Sequence, residues 1–132
     1  MIITPHPGEA ARLVNQEVNK IQEDRFKSVT ALEKKFRSVS VLKGSGSLVC
    51  YKRNGKQRIG VCEAGNPGMA KGGMGDVLAG LIGSFLSQGL SLVEATEVAV
   101  DLHSKSADIA SLELGMTITP TDVIRNIRYF LR

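Results

Sequence analysis

The chain has 132 residues, the length of one domain, and its 42% hydrophobic content is enough to build a buried core. A net charge of only +4, aromatics at 5% and no Trp argue against single-stranded nucleic-acid binding, which uses aromatic stacking platforms; anionic small molecules fit at least as well. No N-terminal stretch has a signal-peptide layout and the longest apolar run is too short to span a bilayer, so a cytoplasmic protein with no nucleic-acid or membrane partner is expected.

In chain order, Ile2-Ile3-Thr4 reads as the end of a strand, Pro5-His6-Pro7-Gly8-Glu9 as a turn and Ala10 to Val14 as a short helix. Val18, Ile21, Val29, Leu32 and Phe36 fall near helical spacing with charges between them, giving an amphipathic helix with breaks. Val39 to Leu42 is a short strand and Lys43 to Ser47 a polar loop. Leu48 to Lys52 and Arg58 to Cys62 form a hairpin around Asn54-Gly55, a strong turn signal. A helix then runs to about Gln88, where Gly89 closes it. Ser91 and Glu94 have capping-box spacing and start a helix with Leu92, Ala95, Val98, Ala99 and Leu102 on one face. Thr119, Pro120 and Asp122 start a last helix, with Val123, Ile127 and Phe130 inward. The order predicts an α/β fold, a sheet with packed helices. The first element sits at residue 2, already at a strand end, as if the chain begins mid-fold.

The hairpin places Cys50 and Cys62 out of register, so both are expected to stay reduced. No metal-ligating set is expected: there is no other cysteine, and the two histidines are far away in sequence.

Residues 65–76 concentrate the chemistry. Five of these twelve positions are glycine, and an apolar helical run, Val77 to Ile82, follows at once. Glycines let backbone N–H groups turn inward, and a helix start adds unpaired N–H groups and the positive end of its dipole. One reading is an anion pocket with the Asp76 carboxylate at its mouth, placed to take a proton from a hydroxyl that attacks phosphate. The other is a glycine-rich turn with Asp76 as a helix cap.

Three segments together resemble one family: Thr4-Pro-His-Pro-Gly-Glu9, Val41-Leu-Lys-Gly-Ser-Gly-Ser47, and Gly65 to Gly80 with its helix, followed by Leu102-His103. They resemble the ADP/ATP-dependent NAD(P)H-hydrate dehydratases, a branch of the ribokinase-like superfamily. The resemblance covers nearly the whole chain but implies only the C-terminal half of the family's ribokinase-like sandwich, so residues 1–132 are expected to be a partial ribokinase-like, carbohydrate-kinase-type domain. The family is a lyase of metabolite repair. A nucleotide phosphorylates the hydroxyl of hydrated NADH or NADPH, and loss of phosphate restores the ring.

The resemblance implies that Asp76 is the base and also touches substrate with His6. It implies that Gly72, Gly73 and Gly75 line the anion hole, and that Lys43, Gly44, Ser45, Gly46 and Ser47, with Gly75, hold the nucleotide. ATP or ADP is the implied phosphoryl donor, with Mg2+. Read without the family, His6 is a turn residue, Lys43 a solvated charge and His103 a core histidine outside the site. Glu9 caps the following helix or ties the loop by hydrogen bonds.

Lys71 stands where the family has a small hydroxyl residue, and Ser104 and Ser106 replace small residues usual after the helix histidine. A cation at 71 would add phosphate attraction or change the loop. A small-molecule kinase of the same superfamily and a nucleotide-binding module without catalysis remain alternatives. Half a domain with an open sheet edge further implies self-association or a complementing chain.

Overall fold

The computed structural model describes residues 1–131. They fall into two compact units, Met1–Val61 and Cys62–Arg132.

The first unit carries β1 (Ile2–Ile3), α1 (Pro7–Val14), α2 (Val18–Glu23), α3 (Arg25–Phe36), β2 (Val39–Leu42), β3 (Ser47–Arg53) and β4 (Lys56–Cys62), whose last residue begins the second unit. The four strands form one sheet in the order β1-β2-β3-β4. β1 runs parallel to β2, pairing Ile2 with Val39, and β2 runs antiparallel to β3, pairing Leu42 with Leu48. The hairpin turns on Asn54 (φ 52°) and Gly55 (φ 74°), the two positive angles that a tight two-residue turn needs. Its strands extend farther toward the turn than the apolar pattern predicts, because backbone pairing continues past the last buried residue. Ala10, Ala11, Ile21, Val29 and Leu32 from the helices share one core with Leu42, Leu48 and Cys50 from the sheet.

The expected turn at residues 5–9 is corrected. Pro7, Gly8 and Glu9 are already the first turn of α1, and His6 is its N-cap. Proline suits the first helical position because its missing N–H has no partner there to lose. The expected broken helix is α2 and α3, divided at Asp24, whose carboxylate receives the Lys27 N–H at 2.9 Å.

The second unit is helical: α4 (Met74–Ser87), α5 (Leu92–Leu114) and α6 (Pro120–Ile127), with short 3-10 turns at Pro67–Met69 and Gly115–Thr117. α4 and α6 pack on α5. The capping boxes form as the spacing predicts, Ser91 with Glu94 and Thr119 with Asp122. Met74, Ala107, Ala110, Ile118 and Val123 make this unit's core.

Two inward assignments are corrected. Leu92 and Val98 are each 43% exposed, whereas Thr96, Val100 and His103 are buried beside Ala95, Ala99 and Leu102. At 100° per residue the buried arc of α5 centres on the Thr96–His103 side, leaving Val98 at its rim; Leu92 is the helix's first residue, at its exposed end. Phe130 lies beyond the end of α6 and is exposed. No helix among the described residues is long and apolar enough to cross a membrane.

Candidate functional site

In the first unit two separated sequence segments meet. The Lys43 N–H donates to the Pro5 carbonyl at 3.0 Å, which fixes residues 43–47 against the start of α1. The His6 ring caps that helix: Nδ1 accepts the N–H groups of Gly8 at 3.1 Å and Glu9 at 3.2 Å. An Nδ1 that accepts leaves the proton of a neutral ring on Nε2, which lies 3.5 Å from Glu9 Oε1. Glu9 closes the box by receiving the His6 N–H at 2.8 Å. Its carboxyl is held below its ordinary range, first by that backbone bond and then by the charges of Lys43, His6 and Arg12 against a desolvation cost. The Lys43 ammonium lies 3.8 Å from Glu9. Lys43 is therefore half-buried and paired rather than a solvated strand-end charge.

Residues 43–47 form a loop with open amides. The N–H groups of Gly44, Ser45 and Gly46 meet no protein acceptor among the described residues. The loop's carbonyls, by contrast, are engaged. Arg25 reaches the carbonyls of Leu42, Lys43 and Gly46, and Ser47 Oγ donates to Gly44 O at 3.3 Å. Sequence reasoning missed Arg25, which looks like one more charge on a surface helix.

The second unit holds the other candidate residues. α4 starts inside the glycine segment, so Gly75 and Asp76 lie in its first turn and Gly73 is the N-cap. The positive backbone angle falls on Gly73 (φ 91°), not on Gly75. Met74 N–H returns to Lys71 O at 3.4 Å, while the Gly75 and Asp76 amides meet no protein acceptor among the described residues. Asp76 is exposed, and its carboxylate has no hydrogen-bond or ion-pair partner among those residues. It does not cap α4, so the capping alternative is set aside. Two open amides at a helix start and an adjacent free carboxylate can bind an anion and accept a proton beside it.

Two further contacts hold this loop, and neither was anticipated. Asp108 on α5 accepts Gly65 N–H at 2.9 Å and Asn66 Nδ2 at 2.8 Å. Asn66 in turn accepts Gly68 N–H at 3.1 Å. The Asn66-Pro67 pair, a cap residue before a proline, was the available signal. Lys71 Nζ donates to Met116 O at 2.7 Å and Ile118 O at 2.9 Å. Its ammonium ties the loop to the segment before α6, with its donors directed at carbonyls. His103 is buried on α5, as expected of a core histidine.

Thus His6, Glu9 and Lys43 to Ser47 come together in one unit, and Gly72, Gly73, Gly75 and Asp76 in the other. No cluster of three or more His, Cys, Asp or Glu side chains able to hold a metal occurs among the described residues. Both cysteines are free thiols.

Residues 1–128 match the family described as NAD(P)H-hydrate dehydratase. The bifunctional NAD(P)H-hydrate repair enzyme Nnr of Coxiella burnetii is 46% identical over 128 residues, which cover 96% of this chain and 26% of that protein. The ADP-dependent (S)-NAD(P)H-hydrate dehydratase of Neisseria meningitidis is 41% identical over 116 residues, covering 88% of this chain and 38% of that protein. A crystal structure of the Bacillus subtilis ADP/ATP-dependent NAD(P)H-hydrate dehydratase, co-crystallized with ATP/Mg2+, superposes with a TM-score of 0.90 at 28% identity, over 98% of this chain and 46% of that one. The chain therefore spans less than half the length of each of these proteins.

Proposed function

Because the chain belongs to the NAD(P)H-hydrate dehydratase family, we propose that it serves the nucleotide-dependent dehydration of hydrated NADH and NADPH, as one part of a ribokinase-like domain. The observation that carries this reading is the unpaired Asp76 carboxylate beside the open Gly75 and Asp76 amides at the start of α4. A carboxylate there repels phosphate, and general-base work is a reason to keep it.

In this reading Asp76 takes the proton as the substrate hydroxyl oxygen bonds to the transferred phosphorus. The Gly72–Gly75 backbone receives the phosphoryl oxygens, and α4 presents the positive end of its dipole. The open amides of Gly44, Ser45 and Gly46, with Lys43, hold the nucleotide's phosphates, with Ser47 fixing the loop. His6 contacts the dinucleotide from the N-cap of α1. ATP or ADP supplies the phosphoryl group. Mg2+ is usually held by substrate phosphates and one or two carboxylates, a role that suits this chain's donors better than a protein cage. Phosphate then leaves as the ring C–O bond breaks and the adjacent ring carbon gives up a proton, which restores the reduced ring.

The test is to incubate the protein with hydrated NADH and ATP or ADP and follow recovery of reduced-nicotinamide absorbance. Recovery supports the reading. Phosphorylation of another small alcohol, with hydrated NADH untouched, would favour a kinase. Light scattering on the same preparation tests the expected self-association, which a monodisperse monomer with full turnover would overturn.

A further inference from the structure

Arg25 opens α3, eighteen residues before Lys43, yet its guanidinium is directed at the loop after β2. Nη2 donates to Leu42 O at 3.2 Å and Gly46 O at 3.3 Å, and both terminal nitrogens lie 3.5 Å from Lys43 O. Gln22 Oε1 receives Nη1 at 2.9 Å and fixes the plane of the fork. No carboxylate pairs with Arg25 among the described residues, so its charge is answered by carbonyl dipoles and one amide oxygen. A Cβ at Gly44 (φ 148°) would lie 2.7 Å from Nη1, so glycine there leaves the room the guanidinium occupies.

The consequence for the loop is directional. A backbone loop binds an anion when its N–H groups converge and its carbonyls are held elsewhere, because a carbonyl oxygen turned toward phosphate repels it. Three carbonyls between residues 42 and 46 are held by one side chain, while the amides of Gly44, Ser45 and Gly46 have no protein acceptor among the described residues. A planar fork holds its donors in fixed directions toward separate carbonyls, whereas a lysine's three donors radiate from one nitrogen on a flexible stem.

We propose that Arg25 is a positioning residue for phosphate binding: by gathering the carbonyls of Leu42, Lys43 and Gly46 it holds the 43–47 loop with its amides free for a nucleotide's phosphates. It touches the loop, not the ligand. The inference rests on the reading of that loop as the nucleotide's phosphate site.

The test uses ATP and inorganic tripolyphosphate as probes, titrated by calorimetry into wild-type, Arg25→Ala and Arg25→Lys protein, with amide hydrogen exchange read at residues 44–47. Arg25→Ala should weaken both probes by about tenfold, the size of losing a charged hydrogen bond. Exchange at residues 44–47 should rise while the amides of β2 and β3 keep their protection. Millimolar guanidinium should restore part of the affinity, which a general folding defect would not allow. Arg25→Lys keeps the charge without the fork and should stay weakened.

Full affinity in Arg25→Lys would mean that charge, not positioning, is what matters, and would overturn the proposal. So would wild-type affinity or unchanged loop exchange in Arg25→Ala. A wild-type protein that binds neither probe overturns the nucleotide reading of the loop itself, and the positioning role falls with it.

Discussion

The Glu9 carboxylate joins the two segments of the first unit: it receives the His6 N–H at 2.8 Å and lies 3.8 Å from the Lys43 ammonium. One side chain thus closes the cap of α1 and pairs with the cation of the 43–47 loop. Glu9→Ala should cost about 0.5–1.5 kcal/mol, the net worth of a hydrogen bond, in urea unfolding. The pH dependence has a definite sign. The folded carboxyl titrates below its unfolded value of 4.5. Its contribution is present above that value and is lost as pH falls through the lower folded one. Stability of wild type and Glu9→Ala should therefore converge in acid, and a constant gap across the carboxylate range would show that the cap does not depend on charge.

Lys43 is half-buried, its ammonium lies 3.8 Å from Glu9, and it belongs to the loop whose amides at 44–46 are open. Lys43→Ala should weaken ATP binding, and more at low salt than at high salt, because a partly exposed charge contact is screened over about 10 Å at 0.1 M ionic strength. A salt-independent loss by calorimetry would point to a misfolded loop instead.

The sequence makes the capping boxes of α5 and α6 readable because Ser91 with Glu94 and Thr119 with Asp122 use the residue types that such boxes prefer. It hides the box of α1, since His6 does the work of a serine or aspartate and no propensity scale marks histidine as a cap. The glycine segment is legible as a loop that leads into a helix, but which glycine takes the positive φ is not. That depends on where α4 begins, and helix starts are uncertain by a residue or two from pattern alone. The partners of Arg25 and Lys71 are invisible for a different reason: both cations bind carbonyls far along the chain, and a carbonyl leaves no mark on the sequence.

Cys50 and Cys62 should differ in reactivity. Cys50 is fully buried, and its thiol is pushed up to about 11, first by burial and then by the nearby Glu33 carboxylate, against a lowering bond from Thr30. A thiol alkylates through its thiolate. Iodoacetamide on the native protein should therefore modify the half-buried Cys62 well before Cys50, with both labelled in denaturant. Because the folded thiol titrates above its unfolded value of 9.0, its contribution to stability is complete below that value and is lost as pH rises toward 11. Equal labelling rates by peptide mass spectrometry would show that Cys50 is not held in the core.

Gly73 and Gly72 separate backbone strain from the mere presence of glycine. Gly73 sits at φ 91°, and a Cβ there would come within 3.0 Å of Pro120 Cγ. Gly72 has no positive angle, and a Cβ there would meet nothing within 4 Å. Gly73→Ala should lose about 1–2 kcal/mol from the left-handed backbone alone, and more if Pro120 cannot give way. Gly72→Ala should stay within about 0.5 kcal/mol of wild type. Thermal melts of the two variants side by side decide it, and equal losses would move the start of α4 away from Gly73.

Asp76 carries the proposed chemistry. It lies in the first turn of α4, exposed, with no partner among the described residues. Removing its charge takes away a favourable interaction with the helix dipole worth about 0.3–1 kcal/mol, so Asp76→Asn should be slightly less stable. The same change removes a negative charge beside two open amides, so ATP should bind as tightly as before or more tightly. If Asp76 is the general base, turnover of hydrated NADH should nevertheless fall by about 100- to 10,000-fold. Binding kept and turnover lost is a combination that neither a capping role nor a simple anion-binding role produces. Near-normal turnover in Asp76→Asn would remove the base from this site, and a parallel loss of ATP affinity would show that the substitution had deformed the loop rather than the chemistry.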